Sequence, residues 1–186
     1  MKRFFDLILV CVATPVLLVA LSAIAFLVVL TSRGPALYWS DRVGRHNRLF
    51  RMPKFRTMRI DTPAVATHLL ENPDSYITPV GAFLRKTSLD ELPQLWSILV
   101  GDMSFVGPRP ALFNQHDLIE LRTEYGVDSL MPGLTGWAQI NGRDELPIPE
   151  KVALDVEYLN RRSFWFDCAI IWKTATKVVK REGVSH

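Results

Sequence analysis

The hydrophobic pattern splits the chain into one unbroken apolar run and a long, mixed remainder. Leu7 to Leu30 reads LILVCVATPVLLVALSAIAFLVVL and contains no charged residue. A helix of about 20 apolar residues crosses a bilayer, so this run is long enough. It is longer than a signal-peptide core and no small-residue cleavage site ends it, so the segment is expected to be retained. Pro15, after Thr14, removes a helical hydrogen bond and kinks the chain. The Thr14 hydroxyl can satisfy a freed backbone group, which makes a break there tolerable in lipid. Lys2 and Arg3 precede the run, and Arg33, Arg42 and Arg45 follow it. Basic flanks favour the cytoplasmic side, and here both flanks are basic. A bent helix that enters and leaves by one face meets both pulls; an ordinary anchor with a proline kink is the alternative.

Beyond the run the pattern shortens. Ser32-Arg33-Gly34-Pro35 ends the helix, and Ala36 to Trp39 and Leu49 to Met58 read as strands of a hairpin around the polar turn Asp41 to Asn47. Asp61 to Tyr76, with Pro63 and Pro73, reads as a surface excursion containing one short helix. Val80 to Arg85 and Leu89 to Leu99 read as helices, with Ser88 as the N-cap of the second and Glu91 as its capping-box partner. Gly101-Asp102 ends that helix, and Gly107-Pro108-Arg109-Pro110 forms a stiff turn. Asn114 to Tyr125 and Pro149 to Asn160 read as helices. Pro132 to Gly136 is a glycine-rich loop, either one that lets backbone approach a ligand or a plain turn. Phe164 to Arg181 is amphipathic: Phe164, Ile171, Trp172, Ala175 and Val179 share one face, while Lys173, Lys177, Lys180 and Arg181 extend into water. Such a helix suits a membrane surface or packs on the core. The expected class is α+β, mainly helical, with residues 1–32 as the membrane helix and 33–186 as one compact catalytic domain.

Composition adds a local charge. The net charge of the 186 residues is only +3. From Arg33 to Arg59, however, Asp41 is the only acid against Arg33, Arg42, Arg45, Arg48, Arg51, Lys54, Arg56 and Arg59. That block favours an anionic partner: phospholipid head groups, a phosphorylated ligand or nucleic acid. Cys11 and Cys168 have no metal-ligand spacing and suggest no redox role. His46, His68, His116 and His186 are scattered and read as surface residues. The adjacent carboxylates Asp90 and Glu91 stand among Lys54, Arg85, Lys86 and Arg109. Carboxylates serve as nucleophiles, proton acceptors or metal ligands, and the cations neutralise phosphate oxygens.

Four phrases, in this order after an apolar helix, carry a family resemblance. They are Lys54-Phe55-Arg56-Thr57-Met58; Ser88-Leu89-Asp90-Glu91-Leu92-Pro93-Gln94-Leu95; Gly101-Asp102-Met103-Ser104-Phe105-Val106-Gly107-Pro108-Arg109-Pro110; and Pro132-Gly133-Leu134-Thr135-Gly136-Trp137-Ala138-Gln139-Ile140-Asn141-Gly142-Arg143. The chain resembles, over nearly its whole length, the bacterial sugar transferases, the monotopic phosphoglycosyl transferases that begin glycan assembly on a polyprenyl phosphate. At this length it is expected to be a minimal catalytic unit, without the added transmembrane helices and domain of larger relatives.

The resemblance implies transfer of a sugar 1-phosphate from a UDP-sugar to undecaprenyl phosphate, with release of UMP and a requirement for Mg2+. It implies Asp90 as nucleophile through an acyl-phosphate intermediate, and Glu91 beside it in metal binding or proton management. Lys54, Arg56, Arg85, Arg109 and Arg143 are the candidates for substrate phosphates, and Gln139 for nucleotide, sugar or loop order. Thr14-Pro15 matches the family's break in a re-entrant helix, which implies a catalytic domain on the cytoplasmic face of the inner membrane. A homodimer fits the family. The stretch Ala111 to Gln115 looks like members that use N-acetylated 6-deoxy aminosugars, with galactose or glucose as other donors. Two rivals remain: a membrane-anchored phosphohydrolase using the same aspartate, and a non-enzymatic module that binds anionic membrane. Nucleic acid is not an expected partner.

Overall fold

A computed structural model of the chain describes residues 2–32, 34–62, 73–142 and 146–180. The apolar run becomes one helix, α1 (Lys2–Ser32), continuous through Pro15. At 1.5 Å per residue its contour is about 46 Å. One stripe of it is docked along the rest of the chain. Val10 and Leu17 pack with Met52, Leu95, Ile98 and Met103, and Leu21, Ile24, Ala25 and Val28 pack with Phe55 and Leu84. The remaining surface of α1 is apolar and exposed, as at Val12, Val16, Val19, Phe26 and Leu30. Polar contacts fix its first turns. Lys2 Nζ donates to Asp167 Oδ2 at 2.5 Å and to the Tyr158 hydroxyl at 2.9 Å. Arg3 donates to the Ile98 and Leu99 carbonyls, and Asp6 Oδ1 accepts the Phe105 N–H at 3.2 Å.

The expected hairpin forms. β1 (Leu37–Val43) pairs antiparallel with β2 (Leu49–Phe55), Leu37 opposite Phe55 and Val43 opposite Leu49. β1 runs further than expected, and the reversal is compressed into a tight turn in which His46 and Asn47 take positive φ. The polar excursion falls mostly outside the described residues, apart from the single turn α2 (Pro73–Tyr76). Next comes α3 (Pro79–Thr87), capped by Thr78, whose hydroxyl accepts the Gly81 N–H at 2.9 Å. Gly81 lies flat on the Thr57 backbone: a Cβ there would sit 2.0 Å from the Thr57 carbonyl oxygen. That close approach locks α3 to the end of β2.

The expected helix Leu89 to Leu99 is instead a 3₁₀ turn, Leu89–Gln94, followed by α4 (Leu95–Val100). Ser88 does not cap it with its side chain. Ser88 sits at φ 56°, ψ 17° as the left-handed stop of α3, and an N-cap needs extended backbone instead. Pro93 inside the turn removes a further helical donor.

The glycine-rich loop is neither a plain turn nor an open cradle. β3 (Ser104–Val106) and β4 (Gly133–Thr135) form a short parallel pair, with Ser104 opposite Gly133 and Val106 opposite Thr135. A Cβ on Gly133 would lie 2.1 Å from the Gly107 nitrogen, so glycine is needed there for backbone to meet backbone. The remaining helices are α5 (His116–Glu124), α6 (Trp137–Asn141), α7 (Ile148–Arg161) and α8 (Phe164–Lys180). They enclose Val106, Val127, Leu130, Ile140, Tyr158 and Ile170. The expected face of α8 is corrected. Ile170 is buried and Ile171 packs inward, whereas Trp165 and Trp172 are exposed. Lys173 lies over the Trp137 ring and Lys177 donates to the Ile140 carbonyl, so neither simply extends into water. The fold is mainly helical α+β, with an N-terminal apolar helix long enough to cross a membrane.

Candidate active site

Four elements converge on the carboxylate pair. The 3₁₀ turn after Ser88 holds Asp90, buried, and Glu91, half-buried. β2 packs against that turn and delivers Lys54. The turn after β3 delivers Arg109, and the last turn of α3 delivers Arg85. A single oxygen of Glu91, Oε1, accepts from Lys54 Nζ at 2.8 Å and from Arg109 Nη2 at 3.0 Å. Arg85 Nε donates to the Thr57 hydroxyl at 3.0 Å, so the contact made by Gly81 also aims Arg85. The second half of the expected capping box is thereby explained. Glu91 is drawn to two cations, and two bonds in which both partners are charged outweigh one to a neutral backbone amide.

The two carboxylates are pushed apart. Burial raises the Asp90 carboxyl above its ordinary value of 3.8; Lys54 opposes this, Glu91 adds to it, and Arg85 and Arg109 oppose it more weakly. Burial also opposes the charge of Glu91, but Arg109 and Lys54 outweigh it and hold Glu91 far below the usual carboxylate range. Glu91 is therefore a fixed anion bridging two cations, while Asp90 is the poised group. Opposite shifts in neighbouring acids are a mark of divided labour. No cluster of three or more metal-ligating side chains exists among the described residues. The donors on offer are the Asp90 carboxylate and Glu91 Oε2, since Oε1 already faces two cations. A site of this poverty fits Mg2+, which binds through one or two carboxylates and completes its shell with phosphate oxygens and water.

The other candidates lie elsewhere. Arg56 donates to the Pro35 carbonyl at 3.1 Å and lies over the Tyr38 ring. Gln139 Nε2 donates to the Leu134 carbonyl at 3.2 Å, inside its own loop, while its buried Oε1 has no protein partner. Arg143 lies outside the described residues, as do His68 and His186; His46 and His116 are exposed. Sequence reasoning missed Arg122 and Asp155, a buried ion pair behind the Arg109 turn. A signal was present. Asp155 sits between Val152 and Tyr158 on the core stripe of α7, and Arg122 shares the buried side of α5 with Leu118. A charge on an apolar stripe calls for a buried partner.

Comparison with known proteins finds sugar transferases. The chain is 38% identical to an undecaprenyl-phosphate galactose phosphotransferase of Salmonella typhimurium over 98% of its length, and 41% of that protein's. It is 40% identical to a UDP-glucose:undecaprenyl-phosphate glucose-1-phosphate transferase of Escherichia coli, over 95% of the chain and 40% of the relative. The chain thus spans about two fifths of these relatives. It also matches an uncharacterized sugar transferase, EpsL, of Bacillus subtilis at 37% identity over 100% of the chain and 91% of the relative. The family model described as bacterial sugar transferase matches residues 1–181, and the chain belongs to that family.

Proposed function

We propose that the chain is a phosphoglycosyl transferase that moves a sugar 1-phosphate from a UDP-sugar to undecaprenyl phosphate and releases UMP. The observation that carries this reading is the buried Asp90 beside a Glu91 already neutralised by Lys54 and Arg109. The arrangement leaves one carboxylate available as nucleophile and keeps cations at hand for phosphate charge. An Asp90 oxygen attacks the sugar-bearing β-phosphorus; the P–O bond to UMP breaks and UMP departs with the electron pair. A phosphate oxygen of the carrier lipid then attacks the aspartyl phosphate and frees the Asp90 carboxylate. Lys54, Arg109 and Arg85 offset the charge of the transferring group. Mg2+, held by Asp90 or Glu91 Oε2, would supply further neutralisation of phosphate oxygens. The relatives named for galactose and glucose make those donors the first to test, with N-acetylated aminosugars as the next group. Carrier-dependent UMP release across a UDP-sugar panel tests the reading. Repeated turnover without the carrier lipid, beyond the one equivalent of UMP that the first step frees, would favour the phosphohydrolase instead.

The same reading places α1 as a re-entrant anchor with the catalytic domain on the cytoplasmic face. It is supported by the docking of both halves of α1 on one domain, with Lys2 at Asp167 and Val28 at Phe55 and Leu84. The exposed Trp96 of α4 and Phe164, Trp165 and Trp172 of α8 suit the head-group zone. In a background lacking Cys11 and Cys168, cysteines placed at Arg3 and at Thr31 should both resist an impermeant thiol reagent in intact spheroplasts. Both should react once the cells are opened. Labelling of either from outside would sink the topology.

A further inference from the structure

We propose that the buried Arg122–Asp155 pair is a positioning element: it holds the Gly107–Pro110 turn so that the Arg109 guanidinium reaches Glu91. Arg122 is 8% exposed and Asp155 1%. Arg122 spends Nε and Nη2 on Asp155 Oδ2, at 3.0 and 2.7 Å, and turns Nη1 to the Arg109 carbonyl at 2.8 Å. The fork of a guanidinium allows this double duty, with three nitrogens in one rigid plane. Asp155 fixes the plane, and the plane fixes the carbonyl.

The neighbouring backbone shows how closely this turn is held. Four successive carbonyls are taken by three other elements: Pro108 by the Gly133 N–H of β4 at 2.9 Å, Arg109 by Arg122 of α5, and Pro110 and Ala111 by β1, through Arg42 at 3.2 Å and the Val43 N–H at 2.9 Å. At Arg109 the donor is a side chain anchored by a buried acid. It is also at Arg109 that the side chain points to the carboxylate pair, with Nη2 3.0 Å from Glu91 Oε1. A clamp serving only to join α5 to α7 would need the ion pair but not the third nitrogen. The catalytic consequence rests on the transferase reading above; the placement of Arg109 does not.

Arg122→Met with Asp155→Leu replaces the pair by apolar groups, an exchange that often leaves stability near that of the parent. At a preserved Tm, Arg109 should react faster with phenylglyoxal, followed peptide by peptide by mass spectrometry with exposed Arg48 as reference. Glu91→Gln supplies the rate of an Arg109 that no longer faces the Glu91 charge. UMP release should fall by about 100-fold, mainly in kcat, as expected when a charge-stabilising group is misplaced. In an Arg109→Ala background the same pair of substitutions should add no further loss. Unchanged Arg109 reactivity overturns the inference, and so do losses that multiply in that background. If the Met and Leu variant loses Tm, Arg122→Lys, which keeps a cation against Asp155, is judged by the same criteria. A parent that releases no UMP would refute the transferase reading, and the labelling would still decide where Arg109 is held.

Discussion

Asp90→Asn should abolish sugar-phosphate transfer and at the same time raise the Tm at neutral pH. Loss of the attacking oxygen costs about 10^4-fold or more when a covalent step is obligatory. The stability effect follows from the raised carboxyl, whose direction already includes the help of Lys54, Arg85 and Arg109. In the window between 3.8 and the higher folded value, the native state binds the proton that the unfolded chain has released. Stability therefore falls as pH rises through that window, and above it the fold bears the whole cost of a buried charge. Asparagine has the shape without the charge. The same shift places the acid limb of kcat/KM for the parent above the range of an ordinary aspartate, since the free enzyme must ionise Asp90 to react. Paired thermal melts and UMP assays would test both halves. A variant that loses Tm, or that keeps turnover, contradicts the assignment.

Glu91→Gln should do the reverse to stability. Glu91 is an anion between Lys54 and Arg109, and its carboxyl is lowered in the fold. A depressed folded value contributes stability that is complete above the unfolded value of 4.5 and is lost as pH falls through the folded one. Removing the charge leaves two half-buried cations facing each other, which costs on the order of 2 kcal/mol for a pair with some solvent access. Turnover should drop by about 10²- to 10³-fold, the scale for losing one preorganised charge-stabilising contact. The variant should melt at a lower temperature than the parent at pH 7, with a shallower acid-side decline. Adjacent acids would then respond to the same amide substitution with opposite signs in Tm. Equal responses would show that the two share one role.

How much of this was legible depends on how local each feature is. The apolar run, the hairpin and helices α3, α5, α7 and α8 follow from periodicity and punctuation by glycine and proline, and they form close to where those signals put them. The pair β3–β4 left no such trace. Each strand has three residues, too few for alternation, and their pairing joins segments about thirty residues apart. Ser88-Leu89-Asp90-Glu91 reads as a capping box in the sequence, and only the left-handed Ser88 and the reach of Glu91 to Lys54 and Arg109 exclude that box. Asp90, Glu91, Lys54 and Arg109 were legible because charged residues in the quoted motifs point to phosphate, and Arg85 because it stands just before one of those motifs. Arg122 and Asp155 belong to no such motif. They had to be read from the apolar stripes they interrupt.

The contact between Lys2 and Asp167 joins positions 165 residues apart. The hydrophobic helix is thus synthesised well ahead of its polar partner. At about 5–20 residues per second, a ribosome needs on the order of ten seconds to bridge that interval. During it the apolar helix can already meet its docking residues between Met52 and Met103, but not the acid that holds its first turn. Contacts this distant also close late, because the entropy of the intervening loop has to be overcome before they form. The lysine–aspartate contact is therefore a late fastening, made after the hydrophobic docking of the helix on nearer segments has become possible.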